Sequence, residues 1–184
     1  MSKAPRYDLP KAAPEPLRLV QLFVNTIDIE NEREWLPDAA ALEAWARDRE
    51  LVPTATRFSR GDLRRAVELR EAFRALLRGE ADARASAVFE EAARAARFTV
   101  ELEPDGMPAL EPQAHGIHLL RGRLVAVAVA AMLDGSWQRL KACRNCRWAY
   151  FDESKNRSAR WCSMELCGNR LKTRAYRRRR RRAA

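Results

Sequence analysis

Two periods of apolar spacing run along this chain, and the point where one gives way to the other locates its elements. From Leu17 the residues Leu19, Val20, Leu22, Phe23 and Val24 form a run too continuous for a surface helix, and Asn25-Thr26 ends it. A buried helix fits this run best because helical segments follow it. Pro37-Asp38 marks a turn, with Asp38 placed to cap a helix carrying Ala41, Leu42, Trp45 and Leu51 on one face. Ser59-Arg60-Gly61-Asp62 opens the clearest helix, with Leu63, Ala66, Leu69, Phe73, Leu76 and Leu77 on one side. Its other side carries Arg64, Arg65, Glu68 and Glu71. A further amphipathic helix is predicted over 83–96, with Ala87, Val88, Ala92 and Ala95 inward.

At Phe98 the period drops to two. Phe98, Val100 and Leu102 alternate with Thr99, Glu101 and Glu103, and Pro104-Asp105-Gly106 turns the chain, which predicts a β-hairpin returning over 107–110. The strongly apolar stretch 119–133 then reads as the central buried helix. Asp134-Gly135-Ser136 stops it and caps a short helix over 137–141. The first part of the chain is therefore expected to be mainly α with a small β-hairpin element.

Charge divides the chain in two. From Arg121 to the end there are 18 Lys and Arg against 4 Asp and Glu, whereas residues 1–120 hold 17 against 21. The first region has the balance of an ordinary globular domain, and the second is built to meet negative charge. The first sixteen residues are polar, with prolines at 5, 10, 14 and 16, and do not resemble a signal peptide. They read as a flexible N-terminus. No apolar run approaches the roughly 20 residues of a membrane span. These features imply a cytoplasmic protein with reduced thiols and no membrane partner.

Those thiols are grouped. Cys143-Arg144-Asn145-Cys146 is followed, after fifteen intervening residues, by Cys162 and then Cys167. C-x2-C paired with C-x4-C at this distance matches a tetrathiolate site for one Zn²⁺ ion, with Cys143, Cys146, Cys162 and Cys167 as ligands. Disulfides or four separate buried thiols are the alternatives, and the pairing and expected compartment favour metal. Four cysteines close the coordination sphere, which argues against catalytic zinc. Between the pairs, 147–152 has strand character, 153–156 reads as a turn and 157–161 as the returning strand, the order of a treble-clef-like zinc finger. Trp148, Phe151 and Trp161 are expected to form its miniature core. So short a module buries too little apolar area to fold alone, and metal supplies about 10 kcal/mol or more in small zinc peptides.

Cys167-Gly168-Asn169-Arg170, preceded by Arg160-Trp161-Cys162-Ser163-Met164, resembles the signature of the CGNR zinc-finger family of bacterial proteins. The leading C-x-x-C, the aromatic segment 148–151 and Asn156-Arg157-Ser158 agree with it across roughly residues 140–178. In that family the finger follows a helical domain called ABATE, whose opening is similar to Leu22-Phe23-Val24-Asn25-Thr26. Gln21 departs from the pattern, which has an acidic residue there. The resemblance implies a DNA-binding transcriptional regulator that responds to stress. It divides the chain into a flexible start (1–16), an ABATE-like domain (17–136), a finger (137–172) and an arginine-rich tail (173–184).

A helix starting near Met164 would place Arg170, Arg174, Arg177 and Arg181 on one face, with Lys172 and Arg178 widening it. Guanidinium forks suit phosphate and guanine. The unbroken run at 177–182 carries no positional pattern, so its default contribution is sequence-independent affinity. Arg157 and Arg160 flank the finger and would either touch phosphate or neutralise the charge of the thiolates. Asn169 would hydrogen-bond a base or cap the knuckle, and Gly168 would permit close packing against the knuckle or Trp161.

His115 and His118 read as loop histidines. Asp28, Glu30, Glu32 and Glu34 read as a solvated acidic loop. No catalytic triad, phosphate-binding glycine loop or dinucleotide fingerprint occurs, so the sequence makes no case for an enzyme. DNA is the first partner expected. An RNA-binding, ribosome-associated role is the alternative, as is an adaptor docking on an acidic protein.

Overall fold

The computed structural model describes residues 11–80 and 82–169. Its first helix, α1 (Arg18–Val24), carries no side-chain cap and is fixed by burial of Val20, Phe23 and Val24. Two short strands, β1 (Ile27–Asp28) and β2 (Arg33–Glu34), pair antiparallel and lead to α2 (Ala39–Arg47). Asp38 caps α2 as its sequence suggests, accepting from the Ala41 amide at 2.8 Å.

Helix α3 (Arg60–Leu77) starts with a reciprocal cap. The Ser59 hydroxyl accepts from the Asp62 amide, and the Asp62 carboxylate accepts from the Ser59 amide at 2.9 Å. Two of the donors orphaned at the helix start are thereby satisfied, a contribution of about 1 kcal/mol. Its apolar stripe of Ala66, Leu69, Phe73 and Leu77 packs inward, with the side chains of Arg70 and Arg74 buried alongside it.

Helix α4 (Ala83–Ala96) has the predicted bounds, and its expected inward face is met at Val88 and Ala92 but not at Ala87. Ala85, Ala92 and Ala96 are buried, Phe89 packs on the core and Ala87 is exposed. Alanine on every side leaves little contrast from which to read the inward direction. The hairpin of β3 (Phe98–Leu102) and β4 (Pro108–Pro112) forms in the expected register, Val100 opposite Leu110. Its prolines sit at the two ends of β4, where a lost ladder bond costs least.

Helix α5 (Gly116–Leu133) begins earlier than the apolar run suggests, so His118 lies within a helix rather than a loop. At 18 residues it is long and apolar enough for a membrane span by composition, against the expectation of no such run. Leu120, Leu124, Val125 and Ala128 are fully buried between its neighbours, so its apolarity serves the protein core.

Phe73 is the centre of the aromatic core. Its ring meets Phe23 edge-on at 6.5 Å, Phe89 edge-on at 6.0 Å and Trp137 at 6.1 Å. Helix α5 also approaches α4 and β4 closely. A β-carbon on Gly122 would lie 2.8 Å from those of Ala96 and Pro112. Both neighbours are short and tied to backbone, so neither can move aside cheaply.

A single 3-10 turn (Ser136–Arg139) follows α5, and the chain enters β5 (Leu140–Ala142) rather than continuing the helix expected to Lys141. β5 pairs with β6 (Ala149–Phe151), with Leu140 opposite Phe151. The anticipated pairing of 147–152 with 157–161 does not occur, because β5 takes the ladder positions and 157–161 carries no strand. A treble-clef order is therefore not established among the described residues. Residues 11–16, expected to be flexible, lie against the finger: Ala13 is buried and the Phe151 amide donates to the Lys11 carbonyl at 2.8 Å.

Gly122→Val should lower the unfolding free energy by about 2 kcal/mol or more in urea titrations of the zinc-loaded protein. Gly61→Ala, whose nearest new contact is Ser59 Oγ at 3.4 Å, should change it by no more than about 0.5 kcal/mol.

Candidate metal centre

The β5–β6 hairpin carries the first pair of cysteines in its connection. The Cys143 amide donates to the Trp148 carbonyl and the Arg147 amide to the Cys143 carbonyl, both at 2.9 Å. Arg147 adopts a left-handed conformation, φ 62°, that closes the knuckle. The second pair straddles one wide helical turn, Met164–Gly168. Ser163 caps that turn, its hydroxyl accepting from the Leu166 amide and its carbonyl from the Cys167 and Gly168 amides. Gly168 meets the sequence expectation of close packing: a β-carbon there would lie 3.1 Å from the Trp161 ring and 2.7 Å from the Met164 sulfur.

All four sulfurs are buried and lie within 4.8 Å of one another. Cys146 and Cys162 are 3.6 Å apart, and Cys162 and Cys167 are 3.7 Å apart. A tetrahedron with Zn–S bonds of about 2.3 Å has edges of about 3.8 Å. A disulfide would bring sulfurs to about 2.0 Å. The spacing therefore fits one zinc ion bound by four thiolates and rules out paired disulfides in this arrangement.

Without a cation the cluster cannot ionise together. Hydrogen bonding from Cys146, then Cys162 and Cys167, pulls the Cys143 thiol far down, while Cys143 pushes Cys146 and Cys162 up. A divalent ion reverses that opposition by stabilising every thiolate. Asn145 adds a hydrogen bond to the Cys167 sulfur at 3.6 Å.

Around the sulfurs pack Trp148 and Tyr150, with half-buried Trp161 and Leu166 and Trp35 contributed by the helical region. Trp35 meets Trp148 edge-on at 6.4 Å. Phe151, expected in this small core, joins the main core instead, because β6 turns that residue toward the helices. Tyr150 is held by its hydroxyl, which donates to the Ala159 carbonyl at 2.7 Å. Burial, then nearby Asp152, pushes its ionisation well above the ordinary range.

Polar side chains of α1 fasten the finger to the helices. Asn25 accepts from the Ala149 amide at 2.7 Å and donates to the Ala149 carbonyl at 2.9 Å, so its amide replaces a neighbouring strand. Gln21 donates to the same carbonyl at 3.2 Å and to that of Lys11, and accepts from the Ala13 amide at 2.7 Å. An amide side chain can donate and accept at once, and a carboxylate cannot. Gln21 uses both capacities here, as two carbonyls and one amide take its bonds.

Arg74 makes the third fastening. It donates to the Val24 carbonyl at 2.7 Å and to the Arg147 carbonyl in the knuckle at 2.9 Å. Beside it, Arg70 grips Glu34 through two bonds of 2.8 Å and reaches Thr26. Glu71 bridges the two arginines; burial would raise its carboxyl, but Arg74 and then Arg70 hold it below the ordinary range. The expected solvated acidic loop is thus corrected at two places. Glu34 pairs with a buried guanidinium, and Asp28 is buried while its carboxylate accepts from the Glu30 and Asn31 amides.

Asp152 organises the loop between the cysteine pairs. Its carboxylate accepts from Lys141 Nζ at 2.7 Å, the Ala159 amide at 2.9 Å and the Ser154 amide at 3.0 Å. Burial pushes its carboxyl up, but the bonds from Lys141 and then Ser154 outweigh this and hold it down at about 2. The stability it lends is complete above the ordinary carboxylate range and is lost as pH falls toward about 2.

The basic residues anticipated as nucleic-acid contacts divide by position. Arg157 and Arg160 are exposed on the finger; Arg157 donates to the Gln138 side chain. The Arg160 carbonyl accepts from the Arg144 amide. Asn169 is exposed. Arg170, Lys172, Arg174, Arg177, Arg178 and Arg181 lie outside the described residues, as does the face expected to unite them. His115 and His118 join no metal cluster among the described residues. Sequence reasoning singled out Gln21 and Asn25 only as motif positions, without their bonds to Ala149, and missed Arg74, Asn145 and Asp152. Gln21, Asn25, Arg74 and Asn145 bond to residues distant in sequence, whereas the partners of Asp152 lie two to eleven positions away.

A helical domain carrying a buried four-cysteine centre is a zinc-finger protein by construction. Residues 139–180 match the CGNR zinc finger, and residues 17–136 match ABATE, described as "putative stress-induced transcription regulator". The chain belongs to the ABATE family and carries a CGNR finger. A search of curated proteins finds no match to it.

Cys162→Ser should reduce bound zinc from one ion per chain to none, measured by metal analysis after gel filtration. Asn25→Leu should keep the zinc but cost about 2 kcal/mol of stability in denaturant titrations, because both polar groups of Ala149 lose buried partners.

Proposed function

We propose that the protein is a DNA-binding transcriptional regulator in which the finger and the arginine-rich segment after it contact DNA. The helical domain then serves sensing or assembly. The observation that carries this reading is the union of a regulator-family domain with a zinc finger whose continuation, from Arg170 on, contains an unbroken arginine run. Arg157 and Arg160 belong to the contact set, together with Arg170, Lys172, Arg174, Arg177, Arg178 and Arg181. Phosphate contacts supply most of the affinity, and any base reading falls to the few side chains that enter a groove.

The anchorage supports this reading physically. A finger fastened by Asn25, Gln21 and Arg74 transmits displacement of α1 or α3 to the knuckle that precedes the basic segment. The centre has four thiolate ligands and no position left for substrate, so the reading is non-catalytic. Thiols held for a metal rather than in disulfides suit a cytoplasmic setting. An RNA role would use exposed aromatics as stacking platforms. Trp148 and Tyr150 are buried and Trp161 is half-buried, which favours DNA over that alternative.

Removing residues 173–184 should weaken duplex binding at least tenfold at roughly 150 mM salt and lower the salt slope by about 3 or more, read by fluorescence anisotropy. An unchanged slope would sink the reading. Selection from random duplexes should enrich a motif that Cys143→Ser with Cys146→Ser abolishes.

A further inference from the structure

A cleft of about 790 Å³ opens between the end of α3 and the outer edge of the finger. Arg78 lines it from the helical side, and Lys141, Arg144, Arg157 and Arg160 line it from the finger side. The acidic one among the described residues that line it is Glu80. Among the described residues five cations and one carboxylate line this concave space, which attracts a multiply charged anion and repels cations.

Two of the five are uncommitted. The side chains of Arg144 and Arg160 have no partner among the described residues, and the Arg144 amide bonded to the Arg160 carbonyl at 3.3 Å sets the two side by side. Lys141 is spent on Asp152, and Arg157 donates to Gln138. Arg78 pairs with Glu80 at 2.7 Å, but Glu80 is largely exposed, so an incoming anion displaces it at little cost.

Size and chemistry narrow the ligand. The volume is that of a site for a small molecule rather than for a groove-spanning duplex. Guanidinium forks match phosphate oxygens two at a time, and forks on opposing walls suit more than one phosphate. Half-buried Trp137 adds an apolar wall next to the cations. We propose that this cleft binds a phosphate-bearing anion of nucleotide size, and that binding clamps α3 to the finger. The phosphates come either from a free nucleotide or from the nucleic acid itself.

The test titrates zinc-loaded full-length protein with ATP, and separately with pyrophosphate, by calorimetry at roughly 150 mM salt. One ATP should bind per chain. Arg78→Gln with Arg144→Gln should weaken it roughly tenfold or more, and Glu80→Gln should tighten it by releasing Arg78. Arg144 and Glu80 are exposed and Arg78 is half-buried, and unchanged thermal unfolding without ligand checks that the variants fold.

Absence of binding overturns the proposal. So does binding of several ATP per chain that the substitutions leave untouched, because the arginine run would then be the receptor. A short duplex distinguishes the sources. ATP retained on the DNA-bound protein assigns the site to a free nucleotide. ATP displaced by duplex, with duplex binding weakened in the double variant, assigns it to phosphates of the nucleic acid. Since calorimetry with ATP involves no DNA, the cleft can fail or stand independently of the regulator reading.

Discussion

Four sulfur atoms must meet at the edges of a tetrahedron about 3.8 Å long, and most of the C-terminal architecture follows from that requirement. A segment with strands of three residues cannot hold such a cluster by itself. The metal draws the two cysteine pairs together, and the helical region supplies the surface on which the hairpin rests. Leu140, Ala142 and Ala149 of the finger are buried in the same cluster as Phe23, Phe73 and Leu124 of the helices. Metal and core are thus complementary: one closes the outer half of the finger, the other closes the inner half.

Polar groups give this union its direction. Apolar packing alone would tolerate sliding of β6 across α1, since one alanine resembles another. Asn25 and Gln21 bond to the backbone of Ala149 and Arg74 bonds to that of Arg147, so the register is specified at individual peptide groups. Burying these groups unpaired would cost more than pairing them returns, which makes the seated position sharply preferred. Arg70 and Glu34 perform the same service for the turn between β1 and β2. The result is a zinc centre whose position is tied to α1 and α3.

Legibility in sequence varied with the range of the interaction. Helix starts with local caps, α2 behind Asp38 and α3 behind Ser59, were readable to within a residue or so. Helix α2, however, ends at Arg47 and leaves Leu51, expected on its face, in the loop beyond. The β3–β4 hairpin was readable because alternation and turn residues are neighbours in the chain. The inward face of α4 was read correctly at Val88 and Ala92 and wrongly at Ala87, because alanines on every side leave little contrast. The strand pairing of the finger was misread because β5, three residues long, precedes the cysteines and carries no alternation to announce it. Phe151 was assigned to the wrong core for the same reason: its direction depends on which strand β6 joins.

By itself the sequence determined the helical character of the first region, the four-thiolate zinc site and the concentration of positive charge toward the C-terminus. Each of these rests on residue type and short spacing, which survive without knowledge of the fold. Only the tertiary structure decided how the finger is mounted, what Gln21, Asn25 and Arg74 do, and that Arg78 faces Arg144 across a basic cleft. Those relations join residues up to 128 positions apart. Buried polar pairing and opposing charge at such separations are set by how the chain packs, and no local pattern encodes them.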